Sequence, residues 1–269
     1  MPEIIEVEQA RALIAATALH REIAAVDAPD AWFLKRGLTP AAIRRALPGR
    51  SLVAARRRGK LLLVDTSGAT PSSPDLGPVV GLHLGMSGRV LVDGEAAGDP
   101  LVYASNRAVA VWERFGLRFV DGGRLVLRDP RRLGAVELDP VEERLGVDAP
   151  ELTLAQLRTV VGPRQAPVKA VLMDQARIAG LGNLLTDEAL WRAEIDPARP
   201  AASLDAVEQA RLHRAIRTTL RVLGRRGGSH AGDLMVARVP GGRCPRDGGP
   251  LQRRQVGGRT TYSCPQHQH

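Results

Sequence analysis

From Ile4 to Ala18 apolar side chains return every three or four positions (Ile4, Val7, Ala10, Leu13, Ile14, Ala18), with acids at the front. That spacing predicts a helix over 3–20. Beyond Leu52 the period shortens. Alternating or β-rich runs at 60–65, 79–84, 89–93, 117–120 and 124–128 are broken by Gly, Pro, Asp and Ser as far as Leu138. Strands at such regular spacing predict a sandwich or barrel. Residues 67–75, rich in Ser, Pro and Gly, read as a mobile loop, and 140–150 as a connection between domains. Helical spacing resumes over 152–161, 167–175, 184–192 and 204–223. Thr153 with Gln156, and the 203–208 stretch ending in Glu208, supply capping residues near two of the starts. The tail from Gly241 is a separate small unit: 251–256, a Gly257-Gly258 turn and 259–262 have the features of a hairpin. The whole is α+β, with no internal repeat, and divides into residues 1–140, 141–232 and 233–269.

Composition narrows the partners. The 269 residues are 44% hydrophobic, and no apolar run is long enough to span a bilayer, so the chain reads as soluble, cytoplasmic and without a membrane partner. The acidic start is not a signal peptide. Two cysteines, Cys244 and Cys264, exclude a disulfide framework. Lys and Arg number 38 against 29 acids, a formal charge of +9, with the excess gathered at 56–60, 131–132, 225–226 and 253–254. A polyanion, foremost nucleic acid, suits that balance. Preference for arginine also reflects, in part, a GC-rich genome. Lysine occurs only at 35, 60 and 169, which marks those places as wanting a compact ammonium. With 3% aromatic residues there is no broad base-stacking platform, and duplex backbone contact fits better.

The candidate chemistry begins at the front. Pro2 is small enough for Met1 to be trimmed, leaving a secondary α-amine. Such an amine titrates near ~8, against ~10.4 for lysine, and attack on a sugar aldehyde carbon would give an iminium. Glu3 adds a carboxyl next to it, and Glu6 returns one turn later. The same residues also read as an ordinary helix start, proline in the first turn and acids at the positive end of the dipole. In the tail, Cys244-x-x-Asp247, sixteen residues, then Cys264-x-x-His267 has the layout of a zinc-clamped hairpin, with His269 as a substitute ligand. The alternative is a metal-free hairpin held by packing and hydrogen bonds around Asp247. Ala179-Gly-Leu-Gly-Asn183 joins two helices and offers free N–H groups to a phosphate. Asp129-Pro-Arg-Arg-Leu-Gly134 follows a strand and suits phosphate binding, duplex insertion or a solvated turn. His83-Leu-Gly-Met-Ser-Gly88 ends another strand; Met86 alone reads as core.

Taken together, these segments resemble the formamidopyrimidine-DNA glycosylase/endonuclease VIII family of base-excision repair enzymes. Met-Pro-Glu-Ile-Ile-Glu-Val-Glu is similar to that family's start, and five further segments follow in its order: Arg58-Gly-Lys-Leu-Leu62, 83–88, 129–134, Asp174-Gln175 with Gly180-Leu-Gly-Asn183, and Gly258-Arg-Thr-Thr-Tyr262.

The resemblance implies an N-terminal helix and β-sandwich, a cleft, a helix-two-turn-helix domain and a C-terminal zinc-finger-like hairpin. It implies a monomer at the bacterial nucleoid that acts on double-stranded DNA with damaged bases or abasic sites. Pro2 would attack C1′ of the damaged nucleotide, Glu3 would assist ring opening and proton transfer, and Glu6 would set that network. Cleavage of the glycosyl bond and β,δ-elimination would follow. Lys60, Asn183 and Arg259 match residues that grip phosphates, Lys60 also assisting catalysis, and Lys169 matches a lysine near the DNA. Met86, Arg131 and Leu133 match fillers of the gap left by the flipped base, with Arg132 near the backbone. Cys244, Asp247, Cys264 and His267 would hold structural zinc. Four departures bear on substrate and metal: Leu133 replaces a frequent phenylalanine and Leu185 a frequent tyrosine, the 227–244 stretch is short for a lesion-covering loop, and Asp247 and His267 replace cysteines. The rivals are a non-catalytic damaged-DNA-binding protein on the same fold and a zinc-hairpin transcription or RNA-binding protein.

Overall fold

The computed structural model describes residues 2–68, 76–98, 100 and 105–269; most of the 67–75 loop read from the sequence, residues 69–75, lies outside these. The chain divides into two compact units, 6–142 with Pro2 in the first and 143–269 with Glu3–Ile5 in the second.

The first unit holds α1 (Ile4–Thr17, from Glu6 onward), β1 (Ile23–Asp27), α2 (Pro40–Ala46), β2 (Leu52–Arg58), β3 (Leu61–Thr66), β4 (Val80–His83), β5 (Arg89–Val92), β6 (Glu95–Ala96), β7 (Glu113–Phe119), β8 (Arg124–Arg128) and β9 (Ala135–Leu138). They form two antiparallel sheets, ordered β1-β7-β8-β5-β6 and β2-β3-β4-β9. One core joins them: Val90, Val92, Phe115, Leu117, Leu125 and Leu127 from the first sheet, Leu62, Val64, Val80, Leu82 and Val136 from the second, with Val7, Ala10 and Ile14 of α1 packed in. The period-two runs of the sequence are the inward faces of these strands. The arginine run 56–58 is the end of β2, not a free basic loop. Arg56 pairs with Asp65 and Glu142, and Arg57 with Glu8.

The second unit contains β10 (Val147–Asp148), α3 (Leu154–Val161), α4 (Val168–Met173), β11 (Ile178–Ala179), α5 (Asn183–Ala193), α6 (Ala206–Arg225), β12 (Gln252–Val256) and β13 (Arg259–Ser263). The 140–150 stretch is therefore more than a connection: β10 pairs in parallel with β11, and Ala149 and Leu152 join the core. Thr153 closes a capping box with Gln156 at the start of α3, and Asp205 does so with Glu208 at α6. Leu157, Leu172, Leu185, Leu190, Leu212 and Ile216 bring the four helices onto one core. In the tail hairpin, Gly257 and Gly258 both have positive φ (59° and 73°), which the two-residue turn requires. No helix among the described residues is long and apolar enough to cross a membrane.

Candidate functional site

In the first unit, Pro2 is buried and, with Glu6, borders a cavity of about 20 Å³ whose walls include Leu84, Gly88 and Arg89. Lys60 sits half-buried in the tight turn between β2 and β3, after Gly59 at φ 56°. Two other sequence motifs turn out to be one construction. Asp129, fully buried at the end of β8, accepts the Ser87 hydroxyl and the backbone N–H groups of Arg131 (3.1 Å), Leu133 (2.7 Å) and Gly134 (2.7 Å). Gly85, at φ 59°, lies so close that a Cβ there would be 2.4 Å from the Leu133 carbonyl carbon. One carboxylate thus locks the 83–88 and 129–134 turns together, and the side chains they present outward are Met86 (38% exposed), Arg131 and Leu133 (48%). Met86 is at the surface rather than in the core. Arg132 is already engaged by Asp30, which accepts its Nε at 2.6 Å and also meets Arg114 at 3.5 Å. The hydrogen bond from Arg132, with its charge, holds the Asp30 carboxyl below the usual carboxylate range.

In the second unit the start of α5 is the centre. Glu3, fully buried, accepts N–H groups from Gly182 (2.7 Å), Leu184 (2.8 Å) and Leu185 (3.3 Å). These are the donors that a helix N-terminus leaves unpaired. The sequence offers such donors to a phosphate; in the structure a carboxylate from the other end of the chain occupies those of Gly182, Leu184 and Leu185 instead. Gly180 and Gly182 are glycine for the same reason. A Cβ at Gly182 would lie 2.3 Å from Glu3 Cδ, and one at Gly180 2.4 Å from Ile4 Cδ1. Gln175 braces this turn, donating to the Met173 and Leu181 carbonyls and accepting from Gly180.

Asn183 donates to the Thr260 carbonyl (3.0 Å), which ties α5 to the hairpin, and Arg259 stands exposed beside the hairpin turn. Lys169 is not at a surface. It is fully buried, with Nζ 2.6 Å from Asp187 and donating to Thr261 Oγ1 at 2.6 Å. Arg238 is the second cation on Asp187, which also accepts from the Tyr262 N–H. Burial pushes the Lys169 ammonium below the ordinary lysine range, with Asp187 opposing. Lys169 thus braces α4, α5 and β13. Leu185, where a tyrosine is frequent, is wholly within the core. The short 227–244 stretch is pinned by Glu188, which accepts the N–H groups of Asp233 and Leu234.

Cys244, Asp247, Cys264 and His267 converge, one ligand atom from each within 4.8 Å of the others. His267 Nδ1 is 2.6 Å from Asp247 Oδ2, Cys264 Sγ 3.1 Å from the same oxygen and Cys244 Sγ 3.7 Å from His267 Nδ1. His267 Nε2 is buried without a partner. His267 holds the Asp247 carboxyl well below its usual range, and burial pushes the Cys264 thiol up to about 11. The mixed donor set fits a divalent ion of zinc's size, which would deprotonate the thiols outright. His269 lies outside the group; its backbone carbonyl accepts from Asp196 and Arg199.

Sequence reasoning gave no role to Asp129, Asp187 or Glu188. Asp129 was signalled by its place between a strand and a two-arginine turn. The other two had no local signal, being acids on a helix whose faces are nearly all buried.

Residues 1–136 match the formamidopyrimidine-DNA glycosylase N-terminal domain family, and residues 139–232 match the formamidopyrimidine-DNA glycosylase H2TH domain family. Among curated proteins, the formamidopyrimidine-DNA glycosylase of Paracoccus denitrificans (strain Pd 1222) is 35% identical over 98% of this chain and 99% of that protein. That of Chloroflexus aggregans (strain MD-66 / DSM 9485) is 36% identical over 98% of each. Among solved structures, the complex of the Lactococcus lactis Fpg with DNA containing an abasic site superposes with TM-score 0.80 at 22% identity, covering 99% of both chains, a likeness of fold.

Proposed function

Because the chain belongs to the formamidopyrimidine-DNA glycosylase family, we propose that it is a base-excision-repair glycosylase with abasic-site lyase activity. Pro2 is the nucleophile and Glu3 the acid/base, and duplex DNA carrying oxidised bases is the substrate. With Met1 removed, the Pro2 nitrogen attacks C1′ as the glycosyl bond breaks and the base departs with the bonding pair and a proton. Glu3 supports opening of the sugar ring, which leaves a Pro2 iminium. Loss of a C2′ proton then breaks the C3′–O bond, and a second elimination breaks C5′–O. Glu6 borders the same cavity as Pro2 and supports its amine. Lys60, Asn183 and Arg259 take phosphates, Arg132 stays near the backbone, and Met86, Arg131 and Leu133 fill the space of the extruded nucleotide.

The observation that carries this reading is the position of Glu3. It is adjacent to Pro2 in the chain, fully buried, and oriented by three backbone donors of α5. A phosphate-binding surface has no use for such a carboxylate. For the tail we propose zinc held by Cys244, Asp247, Cys264 and His267, where it would cross-link the hairpin; the convergence of four donors supports this. Asp247→Cys, with bound metal measured in parent and variant, tests it: no zinc in either form removes the proposal.

Borohydride trapping on a duplex with one abasic site tests the chemistry. A covalent adduct is expected from the parent and not from Pro2→Gly, and a panel of oxidised bases then identifies the substrate. Tight binding to the abasic duplex without an adduct would leave the non-catalytic damaged-DNA binder as the reading.

A further inference from the structure

Helix α6 carries arginines at 211, 214, 217, 221 and 225, and no acid occurs from 209 to 232. Its buried residues are Leu212, Ala215, Ile216, Thr219 and Leu223. With 3.6 residues per turn, Arg214, Arg217, Arg221 and Arg225 fall within an arc of about 80° on the side opposite these. All four are exposed, and among the described residues none has a hydrogen-bond or ion-pair partner. Their neighbours differ: Arg211 donates to the Ala193 carbonyl and Arg226 pairs with Asp233. Arginines four apart, 217 with 221 and 221 with 225, repel each other along a helix. The helix dipole favours cations only in the last turn, which accounts for Arg225 but not for Arg214 or Arg217. Neither local helix stability nor a mixed-sign solvated face explains the stripe.

The stripe borders a groove of about 540 Å³ lined by Pro150, Arg214, Arg217, Thr218, Leu220 and Arg221. From 214 to 225 it runs about 16 Å along the helix axis, roughly five base-pair steps of one DNA strand. Helix α6 packs on α5 through its apolar side, so the stripe faces away from the helix that begins at Asn183. Guanidinium forks match phosphate oxygens, and the Thr218 hydroxyl adds a hydrogen-bonding group. The groove has no aromatic anchor of the kind a protein partner would need or single strands would stack on.

We propose that this face of α6 is a second nucleic-acid seat, which takes the phosphate backbone of a duplex segment other than the one held for repair. The inference rests on the DNA reading above. It gives the protein two simultaneous grips on DNA, so that it passes from one segment to another without full release.

The test uses the full chain, first saturated with a short duplex carrying a tetrahydrofuran abasic analogue, then titrated with a labelled undamaged duplex over a range of salt. The parent is expected to bind the second duplex, with a log–log salt slope of about −3 to −4 for up to four phosphates. Replacing Arg214, Arg217, Arg221 and Arg225 together by Gln is expected to weaken the second duplex at least tenfold and leave the first within twofold. Unchanged helix content and Tm would show that the variant is folded. No second duplex on the parent, or equal binding by the variant, overturns the proposal. Displacement of the second duplex by polyglutamate at lower charge equivalents also overturns it, by assigning the face to an acidic protein. Failure of the abasic duplex to bind would count against the proposed function instead. The stripe is then judged with undamaged duplex on the free protein, where an unaltered affinity in the variant overturns it.

Discussion

Two fully buried carboxylates meet α5, Glu3 at its first turn and Asp187 one turn further along, and the donors that hold them differ in kind. Asp187 is neutralised by two cations, Lys169 and Arg238, and its surroundings tie α4, α5 and β13 together. Glu3 accepts from three backbone N–H groups at the start of α5, which orient it. Burial alone therefore says little about the purpose of an acid. A carboxylate held between two side-chain cations joins the elements that carry them, whereas one held by the backbone donors of a helix start is fixed in direction.

That contrast sets the order of tests. Glu3→Gln should lower glycosylase and lyase rates by ~10²–10⁴, the usual range for a positioned acid or base. The amide also turns one acceptor oxygen into a donor facing N–H groups. An accompanying stability loss of about 1–3 kcal/mol is expected in urea titration. A variant that lost only stability and kept its single-turnover rate would remove Glu3 from the chemistry. Asp187→Ala should instead cost about 3–5 kcal/mol by stranding Lys169 in the core, while Lys169→Met, which leaves Arg238 on Asp187, should cost less. Near-equal costs for the two would mean that Arg238 contributes nothing.

Asp30 is an intermediate case, a buried acid held by one close guanidinium, that of the exposed Arg132. Its carboxyl is depressed in the fold by Arg132. The stabilisation this gives is fully present above the unfolded value near ~3.9 and is lost as pH falls through the lower folded value. The stability gap between the parent and Arg132→Ala should therefore be flat near neutrality and close below about pH 4. A gap that persisted into acid would point to packing. The smallest effect belongs to Thr153→Ala, which removes an uncharged side-chain cap from α3 and should cost about 1 kcal/mol. It gives the scale for a helix start capped without charge.

Much of this was legible in the chain. The helical periods, the two capping boxes and the Gly257-Gly258 hairpin all act over a few residues, so local pattern revealed them. Helix ends were read a few residues too long, as at 3–20 against Ile4–Thr17. Helix α2 was missed although Thr39 and Pro40 signal it, because seven residues carry too little periodicity. Paired elements of two residues, such as β10 with β11, have none at all. At the site, the motif residues were named, but not what holds them. The bonds of Glu3 to α5 span 179 to 182 positions, and those of Lys169 to Thr261 span 92. No local window contains both partners, so the filled helix N-terminus and the buried lysine emerged only in three dimensions.

The close approach of Glu3 to Gly182 has a consequence for how this sequence can drift. A methyl group at 182 would overlap the end of the Glu3 side chain, whereas one methylene less at position 3 would draw the carboxylate back. Positions 3 and 182 are thus sterically coupled. In a randomised library, alanine at 182 should survive chiefly alongside aspartate at 3, a covariation between the first residues of the chain and a turn most of its length away.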